Sequence, residues 1–166
     1  RQKGKALRPR QVARLERLLP RLRLDLDSPP PRTLAELFAE PVEGIALEIG
    51  FGGGEHLAFQ AAAHPRTGFI GIEPFVNGVS SLLQHVEDGK LGNVRIFDQE
   101  AGPVLDWLPA ASISSAFILF PDPWPKARHR KRRLVTPLTL GRLARVLLPG
   151  AELRIATDIA DYALTA

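Results

Sequence analysis

Ala46-Leu47-Glu48-Ile49-Gly50-Phe51-Gly52-Gly53-Gly54-Glu55 is the stretch around which this chain is organised. The apolar run Ile45–Ile49 holds one acid, four glycines fall within the next five positions, and a helix-compatible segment, His56–Ala63, follows. The order is strand, glycine-rich turn, helix. Glycine lets such a turn take positive φ and lets a ligand come close to the backbone. The start of the helix then offers free N–H groups to a polar or anionic ligand. A plain βα turn has the same outline, but two acids argue for a bound molecule. Glu48 lies inside a run destined for burial, where an unpaired carboxylate is costly. Glu73 closes the next apolar run, Phe69-Ile70-Gly71-Ile72. That is about 20 residues on, where an acid that grips ribose hydroxyls belongs.

Glu48 also discriminates between cofactors. A pyrophosphate is negatively charged, so a carboxylate beside its loop is unfavourable. S-adenosylmethionine has no phosphate and carries a sulfonium and an ammonium. The pattern Glu-x-Gly-x-Gly-x-Gly resembles motif I of the Rossmann-like methyltransferases, which implies S-adenosylmethionine rather than a dinucleotide.

The chain has 166 residues, which makes one domain the expectation, and 45% of them are hydrophobic, enough for a core. It has no cysteine, so no disulfide framework and no Cys-ligated zinc; no metal is expected. No apolar run approaches membrane-spanning length and the N-terminus has no signal-peptide core. A cytoplasmic protein without membrane contact is expected. The net charge of +4 permits an anionic partner such as nucleic acid, and leaves monomer and homodimer equally open. Methionine is absent even at position 1, which suggests a chain shorter than its gene product.

Residues 1–41 read as an appendage: a basic arm over Arg1–Arg10 expected to be solvated, a helix over Gln11–Leu19 with Val12, Leu15, Leu18 and Leu19 on one face, and a stiff Ser28-Pro29-Pro30-Pro31 connector. Pro20 ends that helix or begins another turn. Thr33 and Glu36 have capping-box spacing for a short helix over Leu34–Phe38. From residue 42 to 166 the pattern alternates strand and helix. Strands are expected over Ile45–Ile49, Thr67–Ile72, Val94–Phe97, Ser115–Phe120 and Glu152–Thr157, and helices over Glu55–Ala63, Val76–Glu87, Pro103–Leu108 and Pro137–Leu147, with a turn at Pro149-Gly150. The fold class is therefore α/β, Rossmann-like: a mostly parallel central sheet with helices on both faces. Ligands in such folds bind at the carboxyl ends of the strands. Glu48, Glu73, Glu100, Asp122 and Asp158 all fall there, more acids than a purely structural arrangement calls for.

The fourth strand leads into Phe120-Pro121-Asp122-Pro123-Trp124-Pro125-Lys126-Ala127-Arg128-His129-Arg130-Lys131-Arg132-Arg133. Prolines on both sides of Asp122 make a rigid turn that presents an acid and an aromatic on the cofactor side. Six of the residues from Lys126 to Arg133 are Lys or Arg. Next to a base pocket, such a run suits RNA phosphates, with salt-dependent and largely sequence-independent affinity. Glu-Ile-Gly-Phe-Gly, Gly-Ile-Glu, Phe-Pro-Asp-Pro-Trp-x-Lys-x-Arg-His-x-Lys-Arg-Arg and Ala-Thr-Asp together resemble the tRNA (guanine-N(7)-)-methyltransferase family over about Ile45 to Tyr162.

That resemblance implies a class I methyltransferase fold with its C-terminal strands missing here, S-adenosylmethionine as cofactor and tRNA as partner. It implies that Glu48, Gly50, Gly52, Glu73 and Glu100 bind the cofactor. Asp122 would be the active-site acid bordering both cofactor and base, and Lys126 and Asp158 would contact tRNA; from the basic run, Arg130 and Arg132 join them. The chain departs from the family pattern with Glu100 where Asp or Asn is usual, with Ile159 where Trp often stands, and in lacking a Thr-x-x-Glu substrate motif. Guanine N-7 has a free lone pair, so attack needs no base, and catalysis rests on positioning and on a carboxylate that offsets charge growing on the purine. Two alternatives remain. One is an exocyclic-amino methyltransferase, which Pro-Asp-Pro-Trp loosely echoes; the other is a non-catalytic tRNA-binding module.

Overall fold

The computed structural model describes residues 4–124, 128 and 133–163. Five parallel strands, β1 (Gly44–Ile49), β2 (Thr67–Ile72), β3 (Val94–Phe97), β4 (Ile113–Leu119) and β5 (Leu147–Ala156), form one sheet in the order β3-β2-β1-β4-β5. The direction of winding reverses between β1 and β4, so the loops that leave these two strands open onto a shared crevice. The described α-helices are α1 (Pro9–Leu22), α2 (Glu55–Ala63), α3 (Val76–Gly89), α4 (Ala101–Trp107), α5 (Pro137–Val146) and α6 (Ala160–Ala163).

β1 and β2 are buried from their second residue onward, as strands covered on both faces must be. Alternate residues divide the core. Leu47, Ile49, Ile70, Ile72 and Ile118 pack with Val104 and Leu105 of α4 and Leu143 and Val146 of α5. Ala46, Phe69 and Ile96 pack with Leu57 of α2, Leu82 and Leu83 of α3 and Leu19 of α1. Strand register aligns Ile96, Gly71, Glu48, Phe117 and Arg154 across all five strands. Glu48 therefore stands in the row that faces α2 and α3.

Several expectations are corrected. The arm is not wholly a solvated tail: Asn77 Nδ2 donates to the Lys5 carbonyl at 2.8 Å, and Pro9 and Arg10 already belong to α1. Pro20 sits inside α1, which runs two residues past it to Leu22; the loss of one helical N–H is outweighed by packing of Leu15, Leu18, Leu19 and Leu22 and by Arg14 and Arg17 pairing with Glu87 of α3. Val12, on the same helix, stays 39% exposed. The Leu34 segment is a single 3₁₀ turn, Leu34–Leu37, whose Glu36 Oε1 accepts from the Thr33 N–H at 3.0 Å. α4 starts at Ala101, two residues before the proline expected to open it. β4 ends at Leu119 because Phe120 turns to φ +51°. β5 begins at Leu147: Ile113 pairs with Leu147 and Ser115 with Glu152, so Pro149-Gly150 lies in a bulge within the strand, not in a turn before it.

Asn93 locks the crossover from α2 to β2. It is buried, and its Nδ2 lies within hydrogen-bond distance of the carbonyls of Ala61 (3.0 Å), His64 (3.1 Å) and Thr67 (2.9 Å), the first two at the C-terminal end of α2, where the His64 carbonyl also accepts the Thr67 N–H at 3.0 Å. Asn93→Ala should cost about 1–3 kcal/mol by leaving these acceptors dry. Urea denaturation measures it, and an unchanged midpoint would show that water replaces the amide freely.

Candidate active site

The loop after β1 takes its shape from three left-handed glycines: Gly50 (φ +72°), Gly52 (φ +57°) and Gly54 (φ +81°). A Cβ on Gly50 or Gly52 would meet nothing within 4 Å, so conformation, not crowding, demands glycine there, and the space beside the loop is open to a ligand. α3 reaches the same loop from behind. A Cβ on Gly78 would lie 2.2 Å from the Gly52 carbonyl oxygen, so only glycine allows this approach. Sequence reading passed over Gly78; its one available signal was a glycine inside an otherwise helical pattern.

Two buried acids flank the loop. Glu73 Oε2 accepts the Gly52 N–H at 2.9 Å and Oε1 accepts the Phe75 N–H at 3.0 Å, which ties the end of β2 to the crest of the loop. Each carboxylate oxygen retains a second acceptor site. Burial pushes the Glu73 carboxyl above its ordinary range; the two N–H groups pull it back, and the negative charges of Asp122 and Glu100 add to the rise. Glu48, with a side chain only 4% exposed, meets His56 Nδ1 at 2.8 Å through Oε2. Burial raises its carboxyl as well, and the His56 contact opposes that rise. His56, on the first turn of α2, packs its ring on Phe117 of β4 at 5.2 Å. It is a second residue that sequence reading missed.

Asp122 stands exposed beyond β4 in a turn whose flanking residues Phe120 and Trp124 both have positive φ, +51° and +41°. Such non-glycine geometry persists only where neighbours impose it. The Phe120 N–H donates to the Ala156 carbonyl at 2.7 Å, and Arg133 Nε donates to the Pro123 carbonyl at 2.9 Å. Arg133 is buried and lies over the ring of Tyr162 at 4.8 Å, while Tyr162 Oη accepts the Val135 N–H at 3.0 Å. The last arginine of the basic run is thus a brace for the Asp122 turn, whereas Arg128 is exposed. Lys126, Arg130 and Arg132, expected to meet tRNA, lie outside the described residues. Glu100 is exposed at the start of α4, and Asp158 is exposed beyond β5. Asp98, just after β3, pairs with Arg23 and leaves Oδ1 buried without a partner.

Glu73 and Glu48 flank the glycine loop, and Asp122 and Glu100 stand near enough for their negative charges to act on Glu73. An open glycine loop with carboxylates at neighbouring strand ends suits a ligand that brings hydroxyls and positive charge. No group of three or more His, Cys, Asp or Glu among the described residues is arranged to hold a metal. Nor is any described helix long and apolar enough to cross a membrane.

Comparison with known proteins agrees with this geometry. A family model described as "Putative methyltransferase" matches residues 43–166. A tRNA (guanine-N(7)-)-methyltransferase of Rhizobium meliloti (strain 1021) is 56% identical over 162 residues, 98% of this chain and 70% of that protein. Among solved structures, an antibiotic-related methyltransferase is 22% identical, with a TM-score of 0.57 over 86% of this chain and 69% of its own. Haemonchus contortus phosphoethanolamine N-methyltransferase 2, solved with phosphomonomethylethanolamine and S-adenosylhomocysteine, is 20% identical, with a TM-score of 0.54 over 75% of this chain and 26% of its own. At those identities the solved structures share the fold alone.

Two outcomes follow from the loop. Gly78→Ala, normally a gain of about 1 kcal/mol in a helix, should instead destabilise by about 1–3 kcal/mol through forced overpacking against the Gly52 carbonyl; a denaturation midpoint at or above the parent's would contradict that contact. The second concerns pH. Because the folded Glu73 carboxyl titrates above its unfolded value, the folded chain binds more protons between the two values. Its contribution to stability is complete below the ordinary glutamate range and is lost as pH rises through the raised folded value. Thermal melts at stepped pH should show the parent losing stability relative to Glu73→Gln as pH increases over that window. A difference independent of pH would mean that Glu73 is not held up.

Proposed function

The chain belongs to the tRNA (guanine-N(7)-)-methyltransferase family, and from that premise we propose that it transfers a methyl group from S-adenosylmethionine to N-7 of a guanine in tRNA, in the cytoplasm. The observation that supports the reading is the open Gly50–Gly54 loop with the buried carboxylates of Glu48 and Glu73 beside it. When bound, S-adenosylmethionine supplies an electrophilic methyl on a sulfonium centre.

In this reading the chain's residues divide the work. Gly50 and Gly52 leave room for the methionine part. Glu48 accepts from its ammonium, Glu73 uses its remaining acceptor sites for ribose hydroxyls, and Glu100 takes the adenine amino group. Asp122 accepts from the N–H edge of guanine and offsets the positive charge that develops on the purine. Lys126, Arg130 and Arg132 neutralise RNA phosphates, and Asp158 contacts the substrate base or its neighbour. No residue needs to remove a proton, because N-7 attacks through a free lone pair. The rate then depends on holding donor and acceptor in line near van der Waals contact.

The test is methyl transfer to bulk tRNA followed by nucleoside identification: 7-methylguanosine is expected, and a product methylated on an exocyclic amine would overturn the assignment. Asp122→Asn should lower the single-turnover rate by about 10²-fold or more, the scale of one preorganised electrostatic contact. Raising the pH should not restore it. Recovery at high pH, or rescue by carboxylate buffers in order of basicity, would identify Asp122 as a general base and point to a different target atom.

A further inference from the structure

We infer that His56 is a positioning residue for the cofactor: it holds the Glu48 carboxylate so that one oxygen is spent on the protein and the other is kept for the ammonium of the bound methionine part. The inference rests on the S-adenosylmethionine reading and deepens it.

The geometry is local and closed. Glu48 is the penultimate residue of β1 and His56 the second residue of α2, so the glycine loop lies between the two residues that meet at 2.8 Å. The contact uses Glu48 Oε2; Oε1 takes no donor among the described residues and is not one of the sealed, unpartnered atoms. With Oε2 engaged, the carboxylate cannot rotate freely about its last torsion, so Oε1 is held in place beside it. His56 is itself fixed. Its ring leans on Phe117, the residue beside Glu48 in the β4 register, and Arg154 of β5 covers the same Phe117 ring at 5.9 Å. In the Nδ1–H tautomer a neutral His56 donates to Glu48 without neutralising it, so the full negative charge remains for a cationic ligand.

A residue that only braced the loop would affect every ligand of the cleft alike. A residue that aims Glu48 at an ammonium affects only ligands that carry one. S-adenosylhomocysteine has the amino-acid part; 5′-methylthioadenosine has the same thioether and adenosine but lacks it. Calorimetry with both ligands on parent, His56→Ala and His56→Asn separates the two roles. His56→Ala should weaken S-adenosylhomocysteine about 10-fold, the scale of one hydrogen bond to a charged group, and leave 5′-methylthioadenosine unchanged. His56→Asn, whose amide N–H reaches the place of Nδ1, should keep S-adenosylhomocysteine within about 3-fold of the parent. Equal losses for both ligands, or no loss for S-adenosylhomocysteine, would overturn the inference while leaving the cofactor reading intact. A parent protein that binds neither ligand would overturn the cofactor reading, and the inference with it.

Discussion

Two carboxylates buried at neighbouring strand ends set the terms for this molecule. Taking a carboxylate out of water costs several kcal/mol unless donors replace the lost hydration. Glu73 receives two backbone N–H groups and Glu48 receives His56. Much of the surrounding architecture exists to deliver those donors. Left-handed glycines turn the Gly52 N–H back toward β2, and Gly78 gives up its side chain so that α3 can back the loop. The acids remain above their ordinary range even so, which marks a site prepared for a ligand with positive charge and hydroxyls rather than one relaxed on its own.

The Asp122 turn solves a different problem with different means. Its acid is exposed and its backbone is strained at Phe120 and Trp124, at a cost of order 1–3 kcal/mol for each such residue. The turn is imposed from outside: by β5 through Ala156, by Arg133 through the Pro123 carbonyl, and by Tyr162 beneath Arg133. Arg133 illustrates how one basic run can mix roles. A buried guanidinium that stacks and donates to a carbonyl serves position, while Arg128 of the same run is exposed.

The parts of the fold legible in the sequence were those with a local cause. Ile45–Ile49, Thr67–Ile72 and Val94–Phe97 are apolar runs bounded by Gly, Pro or Asp, and their helices carry a 3.6-residue stripe; acids at strand ends then fell where the topology puts ligands. What escaped depended on distant partners. Pro20 argues against a helix that α3 holds together through Glu87, and the Pro149-Gly150 bulge is defined only by its register against β4. Gly78 matters because of the Gly52 carbonyl 26 positions earlier in the chain, and His56 because of an acid on the adjacent strand. Arg133 looked like one more surface cation, since nothing local announces Tyr162 beneath it.

The two halves of the site communicate through charge. The half from Glu48 to Gly78 is assembled by contacts between consecutive elements. The base half depends on residues from Phe120 to Tyr162. Between them, burial raises the Glu73 carboxyl most, and the negative charges of Asp122 and Glu100 add to the rise. In the function proposed above, a methyl that moves from sulfonium to purine nitrogen would take the positive charge with it, from the Glu48–Glu73 side toward the Asp122 side. Negative residues at one end alone would favour the reactant or the product and stall the transfer. Carboxylates at both ends let the charge move within a field of nearly constant sign, and their mutual repulsion in the absence of ligand is relieved by the same cation whose displacement they assist.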